Sequence, residues 1–170
     1  DPKFLKLPKE VLVVTMQDNQ KYFPIVNSKE ELMPLFICVS NIESKERELI
    51  KKGNERVIRP RLSDAAFFWE WDLKYGLENH CKSLKKVIYQ KDLGTLHDKS
   101  ERIAKTLSSM TKEINIDTNS AKRIAKLCLC DLLTKMVVEF PKLQGTMGRY
   151  YAKADGENDD ITIALEELYQ

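Results

Sequence analysis

The chain has 170 residues, 42% apolar and 32% charged, with a formal net charge of +2. This is ordinary for a soluble globular protein and long enough for one sizeable domain or two small ones. No run approaches the ~18 apolar residues of a membrane span, and no signal peptide is visible.

The opening "DPKFLKLPKE" lacks an initiator Met, which reads as a piece of a longer chain. Residues 1 to about 60 read as β-rich. "EVLVVTM" is a continuous valine-rich run suited to a strand buried on both faces. "KYFPIV" and "LMPLFICVS" follow as strands, with Pro24 and Pro34 expected at strand ends or edges. "ERVIR" is a further short strand candidate after a "KGN" turn.

From "RLSDAAFFWEWDLKYG" the periodicity becomes helical. Ser63 can cap, Phe67, Phe68, Trp71 and Leu77 form a buried stripe, and Gly76 is a stop. "KSLKKVIYQKDLG" fits neither pattern. "TLHDKSERIAKTLSSMTKEI" places Leu96, Ile103, Leu107, Met110 and Ile114 at helical spacing. Ser120 to Phe140 is apolar nearly all round, as in a helix at the centre of a bundle. Pro141 interrupts it, "LQGTMGRYYAKA" resumes, "DGENDD" turns, and "ITIALEELY" is a last amphipathic helix. The boundary between a small α+β region and a helical domain falls near 60 to 90, placed at 1–75 and 76–170.

The four cysteines (Cys38, Cys81, Cys128, Cys130) contain no CxxC pair and read as reduced thiols of a cytoplasmic protein. Charge is uneven. Arg56, Arg59 and Arg61 fall within six residues, while the last twenty carry six acids against one lysine.

Two places invite chemistry. His97-Asp98 matches the dipeptide of metal phosphohydrolases, but Thr95 to Asp98 is also a T-x-x-D capping box, which explains Asp98 without a metal. Asp131 in "LCLCDLLTKM" occupies the mid-helix, apolar setting of such a pair. It needs a partner such as Lys135 or His97. Cys130, not His, precedes it, so the metal set is incomplete. The arginines of "GNERVIRPRL" form either a salt-bridged face or a phosphate-contacting patch, with Arg59 and Arg61 on one face of a strand. Lys21, Tyr22 and Phe23 are of the kind that bind single-stranded bases, or are core. No glycine-rich phosphate loop or Ser-His-Asp set occurs.

The strings "LPKEVLVVTMQDNQKYFPI", "FICVSNIESK", "GNERVIRPRLSDAAFFWEWDLK", "LGTLHDKSERI" and "EFPKLQGTMGRYYA" together closely resemble the β subunit of the bacterial tetrameric glycyl-tRNA synthetase. The likeness runs in order from about Phe4 to Tyr169, and the resemblance implies that this is the middle portion of that subunit. The resemblance implies an α+β fold, with a small β-rich region followed by an all-α HD-type helical domain. It implies a catalytic class II core on the α subunit, which uses ATP and magnesium, and a β subunit that recognises and positions tRNA-Gly. Expected partners are the α subunit, tRNA-Gly and a second β subunit, with no membrane. The candidate tRNA contacts are Lys21, Tyr22, Arg56, Arg59, Arg61 and Arg149. No cofactor or catalytic residue is expected on this piece, and His97 and Asp131 are degenerate HD-like positions. An HD-type metal-dependent phosphohydrolase is the alternative. A role purely in subunit contact, through the acidic tail and an exposed Trp69/Trp71 pair, is a third possibility.

Overall fold

A computed structural model describes residues 1–18, 20–41, 43, 45–113 and 115–169. The fold is α+β, mostly helical with two small antiparallel sheets. The chain divides into two compact units, Asp1–Glu70 and Trp71–Gln170.

The first unit opens with a 3-10 turn (Pro2–Lys6), in which Asp1 accepts the Lys3 amide at 3.1 Å. Helix α1 (Lys9–Gln17) then takes the run "EVLVVTM", for which the sequence predicts a strand. An unbroken apolar run carries neither period and cannot choose between the two. The burial chooses: Val11, Leu12, Thr15 and Met16 make one helical face, and the Thr15 hydroxyl donates to the Val11 carbonyl at 2.7 Å.

Strands β1 (Phe23–Val26) and β2 (Leu32–Ile37) pair antiparallel as the sequence predicts, with Phe23 opposite Ile37 and Pro24 opposite Phe36. In a two-stranded sheet both strands are edges, which accommodates Pro24 and Pro34. The Asn27 side chain closes the turn by accepting the amides of Lys29 and Glu31 at 2.8 and 3.0 Å.

Helix α2 (Arg47–Tyr75) runs 29 residues and overturns three expectations. "ERVIR" is helix rather than strand, "KGN" does not turn, and Ser63 lies inside the helix instead of capping it. The breakers mislead because they sit where they cost little. Gly53 and Pro60 are exposed, while Ile58 and Ala65, seven residues apart, are buried. Gly76, at φ 81°, ends the helix as expected. Of the predicted stripe only Leu77 is buried, and Phe67 is exposed. Trp69 and Trp71 are half-buried rather than exposed, Trp71 stacking on Tyr75 at 4.9 Å.

The second unit continues with α3 (Leu77–Cys81), a 3-10 turn (Lys82–Lys86), and the short pair β3 (Ile88–Gln90) and β4 (Gly94–Thr95). Helix α4 (Leu96–Met110) begins at the predicted capping box: Asp98 N donates to Thr95 Oγ1 at 3.2 Å, and Thr95 N to Asp98 Oδ2 at 2.7 Å. Leu96 is buried and Ile103 and Leu107 are half-buried, whereas Met110 is exposed; Ile114 lies outside the described residues.

Ser120 to Phe140 is not one helix. It divides into α5 (Thr118–Leu127), a 3-10 turn (Cys130–Leu133) and α6 (Lys135–Glu139). Leu129 leaves helical geometry at φ −119°, and Thr134 starts a new helix by accepting the Val137 amide at 3.2 Å. The segment is nonetheless central, with Leu127 through Asp131 all buried. A 3-10 turn at Pro141–Leu143 leads to α7 (Thr146–Ala154), and α8 (Asp159–Glu167) packs against it.

The cysteines also depart from expectation. Cys81 and Cys130 are joined as a disulfide across 49 residues, with Cα atoms 5.3 Å apart, while Cys38 and Cys128 are free. The spacing hides the pair, because it is the fold that brings α3 onto the 130–133 turn. Among the described residues no helix is long and apolar enough to cross a membrane.

Candidate nucleic-acid interface

The arginine cluster is helical, so its geometry differs from the strand expected. At 100° per residue, Arg56 and Arg59 lie roughly 60° apart on one face, while Arg61 is roughly 160° from Arg59. All three are exposed. Arg56 and Arg59 make no ion pair or side-chain hydrogen bond with any described residue, whereas Arg61 is engaged. Pro60 has no amide to give the Arg56 carbonyl, so the backbone beside the Arg56–Arg59 face carries an acceptor short of its helical donor.

The other candidates fall into different settings. Lys21 is exposed, in a left-handed conformation at φ 55°, and its ammonium donates to the Asp18 carbonyl at 2.8 Å. Tyr22 is core. Its ring is buried and stacked on Phe36 at 4.8 Å, and its hydroxyl donates to Asn54 at 2.7 Å. That ring offers no free face to a base, which corrects the stacking role expected of it. Arg149 pairs with Glu166 at 2.9 Å and lies over the Tyr150 ring, tying α7 to α8.

The HD-like positions do not come together as ligands. Asp98 belongs to the helix cap, where the Thr95 amide and hydroxyl hold its carboxyl below the usual range. Asp131 is buried and takes the Gly145 amide on Oδ2 at 2.6 Å, while Oδ1 has no hydrogen-bond partner among the described residues. Burial raises its pKa to about 6, opposed first by the amides of Gly145 and Gly148. Neither Lys135 nor His97 is among the groups that set it, so the partner expected for this carboxylate is backbone. Lys135 instead lies over the Trp71 ring at 4.5 Å. Among the described residues no three His, Cys, Asp or Glu side chains converge on a common point.

The remaining buried polar groups of the second unit hold the helices together. Asp72 accepts the amides of Lys135 and Met136 at the start of α6. Arg123 on α5 bridges Glu78 and Glu157, and with Lys126 holds the Glu78 carboxyl down at about 2. His80 is buried with Nε2 unpartnered among the described residues, and burial lowers its pKa.

One cationic surface has no counterpart in the sequence reading. The 82–86 turn, α4 and α5 line a cleft of about 750 Å³ that carries Lys82, Lys85, Lys105 and Lys122 together with His97. These lysines are spread over some forty residues, and no linear pattern marks them as neighbours. The arginines are contiguous in the sequence and so stand out there, whereas only folding makes these lysines contiguous.

The glycyl-tRNA synthetase beta subunit profile matches residues 1–170, the whole of this sequence. The chain belongs to the glycyl-tRNA synthetase β-subunit family. It is 48% identical over 169 residues to the glycine–tRNA ligase beta subunit of Pseudoalteromonas atlantica, covering 99% of this chain and 24% of that protein. Against those of Enterobacter sp. (strain 638) and Colwellia psychrerythraea it is 49% identical over 170 residues, covering all of this chain and 25% of each relative. The chain thus spans about a quarter of the length of the curated relatives it matches.

Proposed function

We propose that the chain is a non-catalytic, tRNA-binding and assembly part of a cytoplasmic glycyl-tRNA synthetase β subunit. It supports ligation of glycine to tRNA-Gly that is catalysed with the α subunit, where ATP and magnesium are used. The observation that carries the RNA-binding role is the Arg56–Arg59 face of α2: two exposed guanidiniums, one turn apart, without an acidic partner among the described residues. An arginine fork suits phosphate oxygens, and phosphate contacts position a nucleic acid without reading its sequence. Lys21 is a further exposed cation in the same unit. Tyr22, Arg61 and Arg149, which already have partners, are structural in this reading.

The test replaces Arg56 and Arg59 by Gln in the complete β subunit, assembled with the α subunit. Affinity should fall alike for all tRNAs. The slope of log K against log salt should flatten by roughly 0.7 to 0.9 per arginine, with the melting temperature unchanged. Unchanged affinity and slope overturn the assignment.

A further inference from the structure

The cleft of the second unit has a charge pattern that the helix packing does not require. On α5, Arg123 and Lys126 face acids: Arg123 pairs with Glu78 and Glu157, and Lys126 with Glu78. Lys122, one turn before Lys126 on the same helix, has no partner among the described residues. Lys82 and Lys85 on the 82–86 turn and Lys105 on α4 are likewise exposed and unpaired among the described residues. Four free ammonium groups from three separate elements thus line one cleft, with Glu101 as the acid among its lining residues. Like charges gathered in a concave surface repel one another and raise the local potential, and an anionic ligand relieves both.

The lining also defines the class of anion. No Phe, Tyr or Trp side chain is present among the described residues of the cleft, so nothing there can stack on a base. The α4 face from His97 to Ser108 covers twelve residues, roughly 16 Å from first to last at the helical rise, and the cleft has a volume of about 750 Å³. That suits an extended polyanion better than one phosphate group. Lysines, as point charges on flexible stems, fit a repeating backbone of variable geometry rather than one fixed oxygen pair.

We propose that this lysine cleft is a second RNA-contacting surface, which grips the phosphodiester backbone of the bound tRNA and reads no bases. The proposal rests on the tRNA-binding reading given above. It adds a site in the helical unit that is separate from the arginine cluster; of the two HD-like positions His97 lines it and Asp131 does not.

The test uses the complete β subunit assembled with the α subunit, and a variant carrying K82Q, K85Q, K105Q and K122Q together. Binding of a tRNA-Gly transcript and of an unrelated tRNA is followed by fluorescence anisotropy across a salt series. The expected result is a salt slope flattened by roughly 3 and an affinity loss equal for the two tRNAs. The four-fold Lys→Arg variant, which keeps the charge, should bind like the parent. Should the glutamine variant fail to assemble, RNA–lysine crosslinking of the parent complex decides, with crosslinks at these four lysines expected and their absence overturning the proposal. Parent-like affinity and slope in the Lys→Gln variant, with R56Q/R59Q still defective, overturns the cleft but leaves the tRNA-binding reading standing. Parent-like binding in both variants overturns the two together. Loss of α-subunit association with the salt slope unchanged assigns the lysines to an acidic protein surface, and overturns the RNA site.

Discussion

The Tyr151 hydroxyl donates to Asp72 Oδ2 at 3.0 Å inside the helical unit, and the same carboxylate receives the Lys135 and Met136 amides at 3.0 and 2.9 Å. One buried side chain therefore joins the last turn of α2, the start of α6 and the middle of α7. Burial and the neighbouring carboxylate hold the Tyr151 phenol well above its ordinary pKa, so it stays a donor. Tyr151→Phe removes a hydrogen bond to a charged acceptor and should destabilise the chain by about 1.5–3 kcal/mol. Asp72→Ala should cost more, because it leaves three donors unmatched. Urea midpoints of the two single variants and the double variant check both, and the combined loss should fall short of the sum.

Asp131 should give stability an unusual pH dependence. Its folded pKa of about 6 lies above the ordinary 3.8, so the folded state binds its proton more tightly than the unfolded chain does. The stability tied to that proton is complete below about pH 4 and is lost as pH rises towards 6, by about 2–3 kcal/mol. Glu78, held at about 2, acts in the opposite sense at lower pH, so the comparison must be made against a variant. Asp131→Asn keeps an acceptor for the Gly145 amide without the charge. Its unfolding free energy should lack the fall between pH 4 and 6 and should match or exceed the parent at pH 7.

Two glycines should respond in opposite directions to alanine. Gly145 has φ +79°, and a Cβ there would meet Tyr169 Cδ2 at 2.9 Å and the Glu166 carbonyl at 3.0 Å. Strain and crowding together should cost roughly 2 kcal/mol or more, and should disturb the amide that Asp131 accepts. Gly53 lies in the exposed interior of α2, and a methyl group added there would meet nothing within 4 Å. Gly53→Ala should stabilise by about 0.5–1 kcal/mol. Thermal melts of the two variants should move apart.

The Cys81–Cys130 bond closes a loop of 49 residues. Chain entropy alone gives such a closure about 4 kcal/mol. A reductant should therefore lower the melting temperature of the parent. Cys81→Ser should lower it to the same degree and abolish the response to reductant, while Cys38→Ser leaves both unchanged.

The legible parts of the fold are those whose signal is local. Thr95 and Asp98 bond each other across three residues, Gly76 ends α2 by its own backbone freedom, and the β1–β2 pair follows from neighbouring runs. The misleading parts depend on what lies opposite. "EVLVVTM" is a helix because the surrounding unit buries Val11, Leu12, Thr15 and Met16 on one side. Gly53 and Pro60 look like stops, yet both are exposed and the helix runs through them. The break before α6 does carry a signal in Thr134, whose capping hydroxyl is masked by the apolar residues around it. The arginines are visible as a run, but which of them share a face depends on helix or strand, and the strand expected of "ERVIR" pairs the wrong two. Tyr22 is legible only as an aromatic, and Phe36 decides that it is core.

The position of Asp72 bears on any attempt to dissect the molecule. The compact helical unit begins at Trp71, so Asp72 belongs to it, although it lies in the last turn of a helix that starts at Arg47. A fragment cut at residue 76, the domain boundary expected from the sequence, would discard Asp72. It would leave two amides at the head of α6 and the buried Tyr151 hydroxyl without their acceptor. Such a fragment should be poorly folded for want of one carboxylate, whereas one begun a helical turn or more before Trp71 retains it.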